Sequence, residues 1–571
     1  MQPFRLTYLR DVLLRAPKNM LVCASMLALL ACGGEKQDES STSPTAGASN
    51  PGATPPPSGS GSAAPFAAAP LQARVLLSYQ YRNAVGDLLG DAARNAVKPG
   101  DDALLNGSSA VAAASLAVSR AAVEGYEANA FAAAQAAMAD NAAKARLIPC
   151  TPASATDDAC MTTVISKAGE RAFRRPLTTE ELNTWKTLAK SVAAAYGNFN
   201  KGVEFALAGL LQSPQFLYLA EQGADDPKMP GMLKYTGLEM ASRLAFFLLG
   251  STPPDSLLAA ARAGLLDTAD GVRAQAALLL DMPAARGAQD RLFGEWLGLD
   301  DLTRVGKDAA LYPGFNSALA QAMRQESLLT INAITADAKR SLLDIFDANF
   351  TYINQPLAAH YGYTAPATND FTRITLPADS PRAGVLTQAA FLSAMAHPVE
   401  TSPTLRGKLV RERLLCEPVP AAPPDVVTVL APTPATANAT LRQRLSAHVS
   451  EPRCAGCHNA MDPIGFGFEK FDAVGRFRTT EKNQAIDSSG RLDSNTTFKE
   501  AAELARLLKA DPRVSSCVTR VVYRHASGHV ELAGEEASLQ AVERSALAQG
   551  FSFRALLIEL VASDAFRYAK K

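Results

Sequence analysis

Residues 235–249 read Tyr-Thr-Gly-Leu-Glu-Met-Ala-Ser-Arg-Leu-Ala-Phe-Phe-Leu-Leu, and this stretch decides the fold class. It is apolar on nearly every face, it is built of helix formers, and it lacks the period-two alternation of a strand, so it reads as a buried helix. Gly250 stops it, and Ser251-Thr252-Pro253-Pro254-Asp255 starts the next helix. The same grammar recurs on both sides. In Leu177-Thr178-Thr179-Glu180-Glu181-Leu182, Thr178 is an N-cap and Glu181 closes a capping box, with Leu177 and Leu182 placed as a hydrophobic staple. Ser402-Pro403 opens another helix that continues through Leu405, Leu409, Val410 and Leu414. A last helical segment is expected from Thr497 to the C-terminus. Strand-like runs are few and no solenoid-type repeat occurs. The sequence therefore predicts a mainly α protein, a multi-segment helical body with few strands.

The chain has 571 residues, with Lys plus Arg and Asp plus Glu both at 56. That length is ample for a large core, which excludes a small disulfide scaffold or a wholly disordered chain. A balanced charge without a long basic run argues against nucleic acid as a partner.

The first residues read as an export signal. Arg5, Arg10, Arg15 and Lys18 precede a short apolar run, Met20 to Ala31, which is too short to span a bilayer. Leu29-Leu30-Ala31-Cys32 resembles a bacterial lipobox, so 1–31 is expected to be cleaved and Cys32 to carry lipid. Ser, Gly, Pro, Ala and Thr dominate the following stretch, which makes 32–70 a flexible tether. Its reach is roughly 30–35 Å for about 35 residues. The expected location is an exported lipoprotein, held at a membrane by an N-terminal acyl anchor, on the periplasmic face or cell surface. Residues 417–440 are Pro-rich and read as an extended connector.

Of the 8 cysteines, Cys23 leaves with the signal and Cys32 takes the lipid. Export makes disulfides permissible. Cys150 and Cys160 flank a polar loop that a bridge would clip. Cys416 and Cys517 remain by elimination, and a bridge between them would tie the C-terminal helices to the region before the Pro-rich connector.

That leaves Cys454-Ala455-Gly456-Cys457-His458, the C-x-x-C-H attachment pattern for one covalent haem c. The two thiols form thioethers to the haem vinyl groups, and His458 ligates iron from the proximal side. Three other readings compete. A redox disulfide needs a thioredoxin-like βαβ context, which is missing. Zinc could use His448 as a fourth ligand, at the cost of a strained tetrahedral shell. A buried structural disulfide leaves His458 without a purpose. After His458 the only methionine is Met461, too close to reach the distal face. Distal candidates are therefore His525 and His529 downstream and Met395, His397 and His448 upstream, or the sixth position is open. Paired histidines favour electron transfer, whereas an open position permits peroxide or gas chemistry. Beyond the motif, Asp462-Pro463 is expected to turn the chain. Phe466, Phe468 and Phe471 can wall a haem pocket or form local core, and Arg476 and Arg478 can pair with propionates.

The run from Cys454 to Arg476, with Met461-Asp462-Pro463-Ile464-Gly465-Phe466-Gly467-Phe468-Glu469 at its centre, resembles a bacterial envelope family. That family is a string of domains of unknown function, the "fifteen-ninety-two" group and its companions, abundant in planctomycetes and myxobacteria. Tyr81 to Leu89, Arg171 to Thr178, Leu210 to Leu219 with Ser242 to Ala245, Thr401 to Gly407 and Ser563 to Arg567 resemble its other segments, in its order. The resemblance implies a helical, c-haem-bearing envelope protein and supplies no substrate. The chain is accordingly divided into an N-terminal helical domain (71–145), a small helical domain with a disulfide clip (146–200), a central helical domain (201–395), a cytochrome c-like haem-motif domain (396–496) and a C-terminal helical domain (497–571). Three functions are consistent with this reading. The first is an anchored c-haem electron carrier with a redox protein partner. The second is a haem peroxidase or oxidase acting on an extracellular compound. The third is a non-haem binding or assembly lipoprotein. Walker A, G-x-S-x-G and H-E-x-x-H signatures do not occur.

Overall fold

A computed structural model describes residues 66–420, 438–450 and 452–571. The export signal, Cys32, most of the tether and most of the Pro-rich connector lie outside these residues. Helices dominate, as expected, and the strands are short pairs.

Buried side chains gather in two large cores. One runs from Leu76 to Leu219 and takes in Phe246. There the helix Phe199–Gln212 packs between Arg120–Ala139 and Thr179–Tyr196. The other begins at Tyr235 and continues to Ala569. The helix Gly237–Leu248 touches both, because its apolar residues surround the whole cylinder: Phe246 faces the first core, Leu244 and Phe247 the second.

Local chemistry accounts for the helix ends. The Thr178 hydroxyl accepts from the Glu181 N–H at 3.1 Å, and the Glu181 carboxylate accepts from the Thr178 N–H at 2.9 Å. Thr236 and Glu239 repeat this box at the start of Gly237–Leu248. Both disulfides form, Cys150–Cys160 and Cys416–Cys517.

Three local expectations change. The helix opened by Ser402-Pro403 is α-helical only over Pro403–Leu409 and then widens to a π-helical turn, Val410–Leu414. Asp462-Pro463 does not turn the chain, because the helix Pro452–Gly465 runs through Pro463. The C-terminal segment is helical over 501–567, in several helices, but it opens and ends as short strands, Thr497–Phe498 and Tyr568–Lys570, the latter paired with Met232–Lys234. That pairing needs a partner far away in the chain, which no local pattern announces.

One polar cluster lies inside the second core. Glu326 is fully buried and accepts from the Thr351 and Tyr361 hydroxyls, both at 2.6 Å. Tyr361 in turn accepts from the Ala389 N–H, and Arg382 stacks on the Tyr361 and Phe471 rings. Arg382 also donates to the carbonyls of Thr387 and Gly475, and His360 Nε2 contacts the Val474 carbonyl at 2.8 Å. The cluster thus fastens the 471–476 turn to the helix Ser317–Thr335.

Burial pushes the Glu326 carboxyl from 4.5 up to about 7, against its two hydroxyl donors and Arg382. The folded state therefore keeps a proton that the unfolded chain releases. The resulting stability is present below pH 4.5 and is lost as pH rises through about 7. Glu326→Gln should remove this slope, so that the variant gains stability relative to the parent at pH 8 compared with pH 4.5. Chemical denaturation at the two pH values measures this, and an unchanged difference would contradict it.

Candidate functional site

The Cys454-Ala455-Gly456-Cys457-His458 motif lies on the helix Pro452–Gly465. Cys454, Cys457 and His458 fall at i, i+3 and i+4, so they share one helix face. Met461 and Gly465 extend the same face and are buried. The two thiols are partly buried and unbridged, and Cys457 Sγ lies 3.6 Å from the Pro420 carbonyl oxygen.

What holds this helix is the segment Thr401 to Gly407. Ser402 caps the helix Pro403–Leu409 by accepting from the Leu405 N–H. Gly407 and Gly465 then let the two backbones touch. A Cβ on Gly407 would sit 1.9 Å from the Met461 carbonyl oxygen, and one on Gly465 would sit 1.8 Å from that of Pro403. No side chain fits at either point. Arg411, in the π-helical turn, adds a bond from Nε to the Ala460 carbonyl at 2.8 Å.

Immediately before Gly407 stands Arg406, which has no exposed surface. One of its terminal nitrogens donates to the carbonyls of Phe468 and Phe471 and to Glu469; the other donates to Leu392 and Asp472. Burial lowers the guanidinium to about 10, so it is still charged at neutral pH. Glu469 also takes the Thr401 hydroxyl at 2.8 Å and Arg478 at 3.2 Å.

The imidazole is oriented by its own helix. His458 Nδ1 lies 2.8 Å from Asp462 Oδ2, and Asp462 Oδ1 accepts from the Thr404 hydroxyl at 2.8 Å. The hydrogen bond to Asp462 raises the His458 pKa above its ordinary value. With Nδ1 engaged in this way, Nε2 is the ring nitrogen that would ligate a haem iron. Asp462 and Thr404 were missed in the sequence. The signal was the i, i+4 spacing of His458 and Asp462, which a turn at Pro463 would have broken and a continued helix preserves.

The other predicted residues are spread out. His525 is buried beside the Phe247 ring, its pKa lowered to about 4 by desolvation. His529 Nε2 contacts the Tyr523 hydroxyl at 3.0 Å and the Glu535 carboxylate at 3.1 Å. His397 is exposed, in a loop closed by pairing of Ala396 with Thr401, and its carbonyl accepts from Lys307. Met395 packs toward Gly298. His448 ends the helix Leu441–His448, and its side chain lies outside the described residues. Arg476 is exposed and approaches Gly314, while Arg478 is engaged with Glu469. Phe468 and Phe471 belong to the large core. Phe466 packs with Leu441 and Leu445 in a small separate cluster. Among the described residues, no group of three or more His, Cys, Asp or Glu is placed to hold a bare metal ion.

The donor set fits a covalent haem. Two unbridged thiols and an imidazole share one helix face, and the imidazole's second nitrogen is set by a buried carboxylate. Gly407→Ala should force the two helices apart and destabilise the fold by about 2 kcal/mol or more, within the range for overpacking and backbone strain. Thermal denaturation checks this, with Gly456→Ala, which meets nothing within 4 Å, as the neutral control for added volume.

Comparison with family models finds four consecutive domains. Residues 160–221 match "Protein of unknown function (DUF1595)" and 235–363 match "Protein of unknown function (DUF1592)". Residues 382–481 match "Protein of unknown function (DUF1588)" and 494–566 match "Protein of unknown function (DUF1585)". Neither a curated protein nor a solved structure matches the chain. Both elements of the crossing, Thr401 to Gly407 and Cys454 to Arg476, fall within the third of these domains. With the four arranged in tandem, the chain belongs to the family built of these consecutive domains of unknown function.

Proposed function

We propose that this is an exported, membrane-anchored c-type haem protein that transfers electrons in the bacterial envelope. The observation that carries the reading is the geometry of the motif helix: Cys454, Cys457 and His458 on one face, with Nδ1 of His458 on the buried Asp462. Bound there, the haem supplies a reversible one-electron couple. The chain's own residues do the rest. Cys454 and Cys457 would hold the ring through their sulfurs, and His458 would offer Nε2 to the iron, its plane fixed by Asp462. The glycine crossing and Arg406 hold the helix against the body, so that the site does not reorganise between oxidation states. The lipid anchor at Cys32 and the tether keep the molecule beside a membrane, within reach of a redox protein partner.

A second reading is a haem peroxidase or oxidase. It shares the same proximal arrangement and differs in requiring an open sixth position, which permits peroxide or gas chemistry. Carbon monoxide binding to the reduced protein divides the two: rapid binding means an open sixth position and removes the six-coordinate carrier.

Protein produced with a haem maturation system should give a c-type pyridine haemochrome spectrum. Absence of that spectrum would refute both haem readings and leave the binding or assembly lipoprotein. His458→Ala should retain the thioether spectrum and change the axial-ligand bands. Anchoring has its own test. Cys32→Ser should abolish acyl modification, seen by mass spectrometry, and move the protein from the membrane to the soluble fraction; continued membrane retention would count against the anchor.

A further inference from the structure

We propose that Asp462 and Thr404 are positioning residues that make the proximal imidazole electron-rich and set the iron couple of this protein at low potential. The inference rests on the haem reading above. Three observations lead to it. Asp462 lies inside the helix Pro452–Gly465 with 2% of its surface exposed. Aspartate is a weak helix former and a buried carboxylate is costly, so a purely structural role would be better served by an apolar residue.

Its partners are also specific. Oδ2 meets His458 Nδ1 and Oδ1 takes the Thr404 hydroxyl, each at 2.8 Å. Among the described residues its one ion-pair partner is His458; no lysine or arginine pairs with it. The carboxylate charge is therefore directed at the imidazole and is not shared with a cation.

Third, the orientation is imposed from outside the helix. Thr404 belongs to Pro403–Leu409, which the Gly407 and Gly465 contacts hold in place. The carboxylate is thereby clamped from both sides, by its own helix and by the crossing one.

A carboxylate that accepts from the distal nitrogen of a metal-bound imidazole raises the basicity of the ligating nitrogen. A more basic axial ligand stabilises ferric over ferrous iron, and second-shell hydrogen bonding of this kind is among the levers a protein has on haem potential. The relay Thr404–Asp462–His458 thus makes the protein a donor of electrons at low potential rather than an acceptor at high potential.

The test uses haem-loaded full-length protein. Asp462→Asn keeps the side-chain volume and an acceptor for Nδ1 but removes the charge. The ferric/ferrous equilibrium should shift toward ferrous by about tenfold, which for a one-electron couple is an upward shift of ~59 mV in midpoint potential. The iron–histidine stretch in the resonance Raman spectrum of a five-coordinate ferrous form should fall. Thr404→Val should shift the potential in the same direction by less, and Thr404→Ser should restore the parental value. If Asp462→Asn does not accumulate, the Thr404→Val and Thr404→Ser pair decides. A haem-loaded variant with unchanged potential overturns the relay and leaves the haem reading intact. A parent without a c-type haemochrome spectrum removes the haem reading itself.

Discussion

Arg406 is the constraint on which the region of the Cys-x-x-Cys-His motif depends. A guanidinium with no exposed surface needs partners, since an unpaired buried charge destabilises a fold by several kcal/mol; Nε of Arg406 has none among the described residues, so the terminal nitrogens carry the pairing. Its two terminal nitrogens find four backbone carbonyls and one carboxylate, and three of those carbonyls belong to the chain just after the motif helix, at Phe468, Phe471 and Asp472. Those carbonyls can reach one point only if the backbone coils tightly from Gly465 to Asp472. The path of the chain after the helix is therefore set by an arginine that precedes it by many residues.

The same helix that carries Arg406 sets the imidazole. Thr404 and Arg406 lie on either side of the Pro403–Leu409 crossing, one reaching the His458–Asp462 pair and the other the coil beyond. The π-helical turn that follows has a physical purpose in this arrangement. It lets Arg411 reach the Ala460 carbonyl just before Cys416 enters its bridge to Cys517. A chain that continued as ordinary α-helix would present these residues in a different rotation.

The motif region is also fastened from its far side. Arg382 and His360, which precede it in the chain, hold the carbonyls of Gly475 and Val474, and Arg382 rests on Tyr361, the donor to Glu326. The chain that follows the motif helix is thus gripped at two places, by Arg406 from the crossing helix and by Arg382 from the body. Both grips use guanidinium donors on backbone carbonyls, a choice suited to a turn that must stay fixed whichever side chains it bears.

The sequence by itself determined what depends on near neighbours. Capping boxes act over three residues, so Thr178 with Glu181 could be read directly. The C-x-x-C-H motif is likewise a short pattern, and the mainly helical class follows from periodicity. The two disulfides could be paired by elimination, because few cysteines were left. Only tertiary structure decided the rest. Pro463 suggested a turn on local grounds, yet the helix continues through it to Gly465, where the packing of Pro403–Leu409 holds it. That continuation places Asp462 one turn after His458. No local rule marks Arg406, because its partners lie far along the chain and its value comes from being sealed away from water. His525 and His529 looked equivalent to other histidines in the sequence. Burial beside Phe247 and bonding to Tyr523 and Glu535 gave them separate surroundings. Short-range hydrogen bonds leave a signature in sequence; desolvation and long-range pairing arise only when the chain has folded.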